Sequence, residues 1–218
     1  MAGPATYDTQ LHARARATST PTLHEAAGRR GELPAAIKPL APDVRLCGPA
    51  FPVQCAPGDN LWIHHALYAA APGEVLVVHT GAPVDCAYFG DIMTIAAQLR
   101  GIAGLVVQGG VRDVQRILEL SFPVFCTASC IRGPSRDATA PGSLGTPVRF
   151  GDVTVARGDL VVGDADGVIV LPAADAERIV ADAGERELRE KTLVERLRAG
   201  ETTLGIFGVP MPGELRKP

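Results

Sequence analysis

The sequence predicts a mixed α/β fold, and three observations carry that prediction. Between residues 74 and 127, strand-sized apolar runs alternate with segments of helical period across short links, which implies a parallel sheet with right-handed crossovers. From 148 to 171, short β runs are separated by Gly-Asp turns, the texture of an antiparallel meander. Residues 173–199 then read as one long, charge-laced helix, with Glu185/Arg189 and Glu187/Lys191 as favourable i,i+4 pairs.

Taken in chain order, residues 1–20 lack a sustained period and are expected to be a mobile N-terminal arm. A short helix is expected near 22–29, ending at Gly31, followed by an extended, Pro-punctuated stretch over 33–42. Residues 44–53 read as strand, turn, strand, broken at Gly48-Pro49. The turn Pro57-Gly58-Asp59-Asn60 caps a helix over 61–70 that stops at Pro72-Gly73. The run Val-Leu-Val-Val within 74–79 suits a buried strand, and Ile92, Ile95, Ala96 and Leu99 give 91–100 a helical period. A strand at 105–108, a tight turn at Gly109-Gly110, a short helix at 113–120 and a strand at 123–127 complete the parallel unit. The β runs of the meander are 148–150, 153–155, 160–162 and 167–171. The long helix needs something to pack on, a neighbouring subunit being one candidate, and 201–218 is a Gly/Pro-rich tail. The 218 residues are expected to form one domain, with about a fifth of them Gly or Pro.

Composition excludes several function classes. Lys and Arg number 21 against 24 Asp and Glu, a net charge of −3, which argues against broad electrostatic binding of nucleic acid or an anionic membrane. No apolar run approaches the ~18 residues of a membrane span. The stretch 1–17 lacks the apolar centre of a signal peptide, so a cytoplasmic location is expected. Five cysteines, an odd number with no Cys-x-x-Cys pair, point to buried thiols rather than disulfides or a cysteine zinc site.

In open parallel sheets ligands gather at the carboxyl ends of strands, where helix N-termini converge. Two such places stand out: Gly90-Asp91, and Gln108-Gly109-Gly110-Val111-Arg112-Asp113. The glycines allow close approach of the backbone, Arg112 can grip a carboxylate, and Asp113 and Asp91 are hard oxygen donors. A divalent cation such as Mg²⁺ would reconcile an anion pocket with two carboxylates. Each residue also has a plainer reading, with Asp91 or Asp113 as helix caps bonded to nearby amides and Arg112 as their ion-pair partner. His64, four residues after Asn60, could share its face; His79 could line a pocket at a strand end; Arg132, Arg136 and Arg149 could form a basic rim. Gly163-Asp164-Ala165-Asp166-Gly167 lacks the length and closing Glu of a calcium loop and reads as a turn.

Asp91, twenty residues, then Arg112-Asp113 form a D-x20-R-D pattern that resembles the class II pyruvate aldolases cleaving 4-hydroxy-4-methyl-2-oxoglutarate, in the RraA-like superfamily. The flanks agree: LCGPAFPVQCAPGDN at 46–60, GIAGLVVQGGVRD at 101–113, FPVF at 122–125 and GDLVVGDADGVIVL at 158–171. The likeness runs from about residue 21 to 190. It implies a layered α/β domain of the swivelling phosphohistidine-domain type and a trimeric ring, often doubled to a hexamer. It also implies Mg²⁺ or Mn²⁺ held directly by Asp113 and through water by Asp91, with Glu187 of a neighbouring subunit (Glu190 next) in the outer shell. Arg112 would bind substrate and steady the enolate, amides of Ile92, Met93 and Thr94 would hold a carboxylate, and Asn60 would add a polar pocket residue. Departures from the family pattern fall at Gln108, at Arg116, at His79 and across 130–136.

The function so implied is metal-dependent retro-aldol cleavage of a 4-hydroxy-2-oxo-diacid to pyruvate, with oxaloacetate decarboxylation as a side activity and a place in aromatic-compound degradation. The alternative is a non-catalytic regulator that binds a ribonuclease, as the superfamily's namesake does; the paired aspartates favour the enzyme. A methyltransferase is discounted because no Gly-rich adenosylmethionine loop follows a first strand.

Overall fold

The computed structural model describes residues 7–81 and 85–212. In chain order its elements are α1 (Thr9–Ala17), α2 (Thr20–Ala26), β1 (Lys38–Pro39), β2 (Leu46–Gln54), α3 (Leu61–Ala69), β3 (Val75–His79), β4 (Ala87–Phe89), α4 (Asp91–Leu99), β5 (Gly104–Val107) and β6 (Gly110–Val111). There follow α5 (Val114–Glu119), β7 (Val124–Cys126), β8 (Ala128–Ser129), β9 (Ser143–Leu144), β10 (Val148–Phe150), β11 (Val153–Val155), β12 (Leu160–Asp164), β13 (Gly167–Leu171), α6 (Ala176–Arg198) and α7 (Thr203–Phe207).

The main sheet runs β1-β7-β5-β3-β2-β12-β13, parallel from β7 to β2 and antiparallel beyond, with β9 added to the end of β2. Its two edges nearly meet, because the segment before β1 lies along β13: Leu33 N–H donates to Val168 O at 2.9 Å and Val170 N–H to Gly31 O at 2.8 Å. Strand alternation sorts side chains between the two faces of this curled sheet. Val75, Val77, Val106, Phe125, Val161, Val168 and Val170 point into the curl, where the β10–β11 hairpin inserts Val148, Phe150 and Val155. Leu76, Val78, Leu105, Val107 and Val124 face outward under α3, α4 and α5. Leu160, Val162, Ile169 and Leu171 pack beneath α1, α2 and α6.

The expected alternation over 74–127 is present, and the layered α/β architecture with a long late helix is the observed fold. Several local expectations are corrected. Residues 8–20 are not an arm: Asp8 caps α1, and Leu11, Ala15 and Leu23 are buried against β12, β13 and α6. Residues 1–6 lie outside the described residues. Strand β2 is unbroken at Gly48-Pro49, because Pro49 sits where the strand changes partner: residues 46–49 pair with β12 and 50–54 with β3, so the missing N–H interrupts neither ladder. The meander is two separate hairpins, β10–β11 apart from the main sheet and β12–β13 within it. Part of the tail is helical at α7, and 213–218 lie outside the described residues. Among the described residues no helix is long and apolar enough to cross a membrane.

A second, three-stranded sheet was not foreseen. Strands β4, β6 and β8 run parallel to one another in the order β4-β6-β8, and they follow β3, β5 and β7 in the chain. Gly110, expected in a tight turn, is a strand residue here. A Cβ on it would lie 2.7 Å from Cys86 O, so only glycine lets β6 approach the chain beside it this closely.

Candidate active site

The small sheet places the candidate residues. Strand β4 leads into Gly90-Asp91 and β6 into Arg112-Asp113, and the parallel register aligns Phe89 with Val111. Arg112 N–H donates to Phe89 O at 3.0 Å, which sets the two strand ends side by side. Two carboxylates 22 positions apart in sequence therefore open two neighbouring helices. The Asp91 amide donates to Asp113 Oδ2 at 3.3 Å, and Arg112 Nε lies 3.5 Å from the same oxygen. Asp113 itself adopts φ 58° and ψ 36°, a left-handed conformation uncommon outside glycine and tolerated best by Asn and Asp. Gly90 is extended, yet it has no room for a side chain: a Cβ there would lie 2.5 Å from Asp113 Oδ2 and 3.2 Å from Arg112 Cγ.

The opposite wall is α3 and the loop over 132–137. Asp59, 2% exposed, fastens the loop to the start of α3: its carboxylate accepts from Leu61 N–H (2.8 Å), Ser135 Oγ (2.9 Å) and Asp137 N–H (2.7 Å). Ser135 N–H donates to Gly58 O and Asn60 N–H to Ser135 O, and this clamp carries Pro134 and Arg136 to the cleft. Asn60 is 3% exposed and donates through Nδ2 to Tyr88 O at 3.0 Å. The Tyr88 hydroxyl accepts from Gly58 N–H at 2.7 Å; burial raises its pKa, outweighing that bond. The His64 pKa is lowered, by burial first and then by the Arg136 charge, so its imidazole is neutral at pH 7.

These walls enclose a cleft of about 220 Å³ reached by Asn60, His64, Asp91, Arg112, Asp113 and Arg136. Among the described residues no three His, Cys, Asp or Glu side chains form a metal-ligand cluster. Two partly exposed carboxylates are a poor set for zinc, and their oxygen-only chemistry fits a hard cation that keeps most of its waters.

Of the residues singled out by sequence, Asn60, Asp91, Ile92, Met93, Arg112 and Asp113 line this cleft. Thr94 does not: it is fully buried, and both its N–H and its hydroxyl bond Gly90 O at 3.0 Å. The Ile92 amide is also committed, to Asp91 Oδ1 at 2.7 Å, so of the three expected carboxylate-binding amides two are engaged. Asp91 is the first residue of α4 rather than its cap, which is Gly90. Glu187 lies on α6 and lines a separate shallow hollow with Glu190 and Lys191, outside the cleft of its own chain. His79 bonds Gln54 Oε1 through Nδ1 at 3.0 Å and packs edge-on to Phe150, away from the cleft. Gln108 accepts from Thr80 Oγ1 through its backbone. Arg132 offers its carbonyl to Ala87 N–H, and Arg149 bonds Gly151 O on the β10–β11 hairpin, so of the three rim arginines only Arg136 reaches the cleft. Gly163–Gly167 is the β12–β13 turn, as its composition suggested. Sequence reasoning missed Asp59 and Tyr88; Asp59 lay in plain view in the 57–60 turn, but the two partners that tie it to the loop, Ser135 and Asp137, are 76 and 78 residues away.

Fold and site together define the class: a layered α/β protein whose cleft joins paired carboxylates to arginines at parallel strand ends. The RraA-like family model, described as Aldolase/RraA, matches residues 17–170, and the chain belongs to that family. It is 36% identical over 188 residues to a protein of Halalkalibacterium halodurans named "Putative 4-hydroxy-4-methyl-2-oxoglutarate aldolase", covering 84% of this chain and 89% of that one. An uncharacterized protein from Pseudomonas syringae pv. tomato has a crystal structure similar at TM-score 0.79 and 27% identity, over 93% of this chain and 94% of that one. Streptomyces coelicolor RraAS2, described as an unusual member of the RNase ES inhibitor RraA family, matches at TM-score 0.74 and 30% identity over 88% of this chain and all of that one.

Proposed function

We propose that this protein is a divalent-metal-dependent carbon–carbon lyase that cleaves 4-hydroxy-4-methyl-2-oxoglutarate or a related 4-hydroxy-2-oxo-diacid to pyruvate. The carrying observation is the convergence of Asp91, Arg112 and Asp113 on one cleft whose far wall presents Arg136. A diacid has two anionic ends, and two arginines, Arg112 and Arg136, line the cleft. The names of the aldolase relatives support the same reading. Asp113 would hold Mg²⁺ or Mn²⁺ directly and Asp91 through water, with Glu187 of a neighbouring copy completing the outer shell in a trimer or hexamer. When bound, the cation supplies Lewis-acid polarisation of the 2-keto group.

The chain's own groups do the rest. Arg112 binds the pyruvyl carboxylate and the oxygen on which negative charge develops. A water or hydroxide ordered by Asp91 and Arg112 takes the proton of the C4 hydroxyl, whose oxygen becomes the carbonyl oxygen of the second product. The C3–C4 bond breaks, its electron pair passes into the enolate of pyruvate beside Arg112, and C3 is then protonated to the methyl group. Loss of CO₂ from oxaloacetate yields the same enolate, so decarboxylation accompanies the aldolase activity.

The test couples pyruvate release to lactate dehydrogenase with Mg²⁺ present. Chelation should abolish turnover and Mg²⁺ restore it, and Arg112→Ala should lose most turnover. Full activity in metal-stripped enzyme would refute the scheme. The likeness to RraAS2 favours a second reading, a regulator that binds a ribonuclease. Pull-down of the ribonuclease by a chain that releases no pyruvate from any 4-hydroxy-2-oxo-diacid would select it.

A further inference from the structure

Two buried side-chain atoms have no hydrogen-bond partner among the described residues: Asn60 Oδ1 and His64 Nε2. Both residues line the cleft. Buried polar atoms are nearly always paired, so two orphans in one small cleft mark a place that a ligand completes.

Their chemistry restricts the ligand. Asn60 Nδ2 is committed to the Tyr88 carbonyl, which fixes the orientation of the amide and leaves Oδ1, an acceptor, unpaired. A carboxylate has no hydrogen to give it. His64 is one helical turn further on, and its N–H donates to Asn60 O at 3.3 Å, so the two side chains share a face. A neutral imidazole offers at Nε2 either a donor or an acceptor, according to tautomer. An alcohol carries both complementary functions, an O–H that donates to an acceptor such as Asn60 Oδ1 and lone pairs that accept from His64 Nε2–H. An ammonium group would satisfy Asn60 too, but Arg136 and Arg112 on the same cleft disfavour a cation.

We propose that Asn60 and His64 form the subsite that reads the alcohol of the substrate, selecting hydroxylated short diacids over their deoxy counterparts. This rests on the aldolase reading and gives it a specificity element. The 2-keto end lies toward Asp113 and Arg112, and the 4-hydroxyl lies toward α3. A site built to bond a hydroxyl discriminates against the molecule lacking it, because the deoxy ligand leaves the same two atoms buried and unpaired.

The experiment uses a matched pair that cannot be cleaved, because C2 carries a hydroxyl in place of the ketone. These are open-chain 2,4-dihydroxyglutarate and 2-hydroxyglutarate, which differ only at C4. Dissociation constants are measured by calorimetry on the full chain with Mg²⁺ present. The unmodified protein should bind the dihydroxy acid at least ~10-fold more tightly. His64→Leu should bring that ratio close to one while the 2-hydroxyglutarate constant changes less than about twofold, and His64→Gln, which again offers a polar atom, should restore part of the preference. A ratio near one in the unmodified protein overturns the proposal, and so does a His64→Leu variant with an unchanged melting temperature that weakens both acids equally. Should His64→Leu fail to fold, the unmodified ratio and His64→Gln decide the matter. Strong preference for the dihydroxy acid with no cleavage of any 2-oxo-diacid would uphold the subsite and overturn the aldolase reading; cleavage with no preference would do the reverse.

Discussion

Gly90→Ala tests the assembly of the site with the smallest available perturbation. Gly90 has an extended backbone that alanine adopts without strain, so the effect is steric. The new methyl would lie 2.5 Å from Asp113 Oδ2, whereas ordinary contact begins at 3.4 Å, and the carboxylate must therefore retreat by about 0.9 Å. It cannot retreat alone, because Oδ2 also accepts the Asp91 amide and faces Arg112 Nε. Displacing a reacting group by about 1 Å costs on the order of 100-fold in rate, or about 2.7 kcal/mol of transition-state stabilisation. The fold should suffer far less: mild overpacking costs about 1 kcal/mol, which lowers Tm by about 2–4 °C in a chain of this size. The assay is kcat/KM from coupled pyruvate release, with thermal unfolding measured on the same preparation. Activity within threefold of the unmodified protein, with Tm preserved, would show that the placement of Asp113 against α4 does not matter to turnover and would refute the reasoning.

Other expectations concern the scaffold. Glu74 is fully buried and bonds Arg157 at 3.0 and 3.2 Å as well as the Ala71 amide, so Glu74→Ala strands a largely buried guanidinium. It should cost about 3–5 kcal/mol, read by chemical denaturation. Asp164 anchors α2 to the sheet: burial opposes its ionisation, but bonds from Thr20 and the Asp166 amide, together with Arg45, outweigh burial and hold its pKa below the ordinary value. A depressed folded-state pKa contributes stability above the unfolded value, ~3.9, and loses it as pH falls further. The Tm gap between the unmodified protein and Asp164→Asn should therefore narrow as the pH falls below about 4. Of the five thiols only Cys130 is partly exposed, and burial pushes Cys47 and Cys55 to about 12. Maleimide should label one cysteine in the native protein and five after denaturation.

What the sequence made legible follows from which interactions are local. Helix α4 shows its apolar period, α3 its bounding turns and α6 its i,i+4 charge pairs within a dozen residues, and β3 and β5 show continuous apolar runs because both faces are covered. The pair Arg112-Asp113 stood out beside two glycines. The small sheet was invisible because its strands are two or three residues long, below any readable period, and because Gly110 resembles a turn residue until the crowding by Cys86 O is seen. The first 20 residues resembled an arm because α1 buries only Leu11 and Ala15, too few to mark a stripe. Of the candidate cleft, Asp91, Arg112 and Asp113 were legible from strand-end and turn chemistry, and Asn60 from the family resemblance. Arg136 stayed one of three candidate arginines, since its position depends on Asp59 holding a distant loop.

The same physical features separate the two readings of the family fold. A surface that only docks against a ribonuclease has no use for an aspartate in the left-handed region, a glycine required by the carboxylate beside it, or two buried polar atoms left unpaired. Each of these opposes stability where it stands, and such costs gather where a ligand or a reaction offsets them. Gly90→Ala and His64→Leu alter the interior of the cleft while leaving the exposed surface nearly unchanged. Loss of turnover with ribonuclease association intact would place the selected function inside the cleft; the opposite pattern would place it on the outer face.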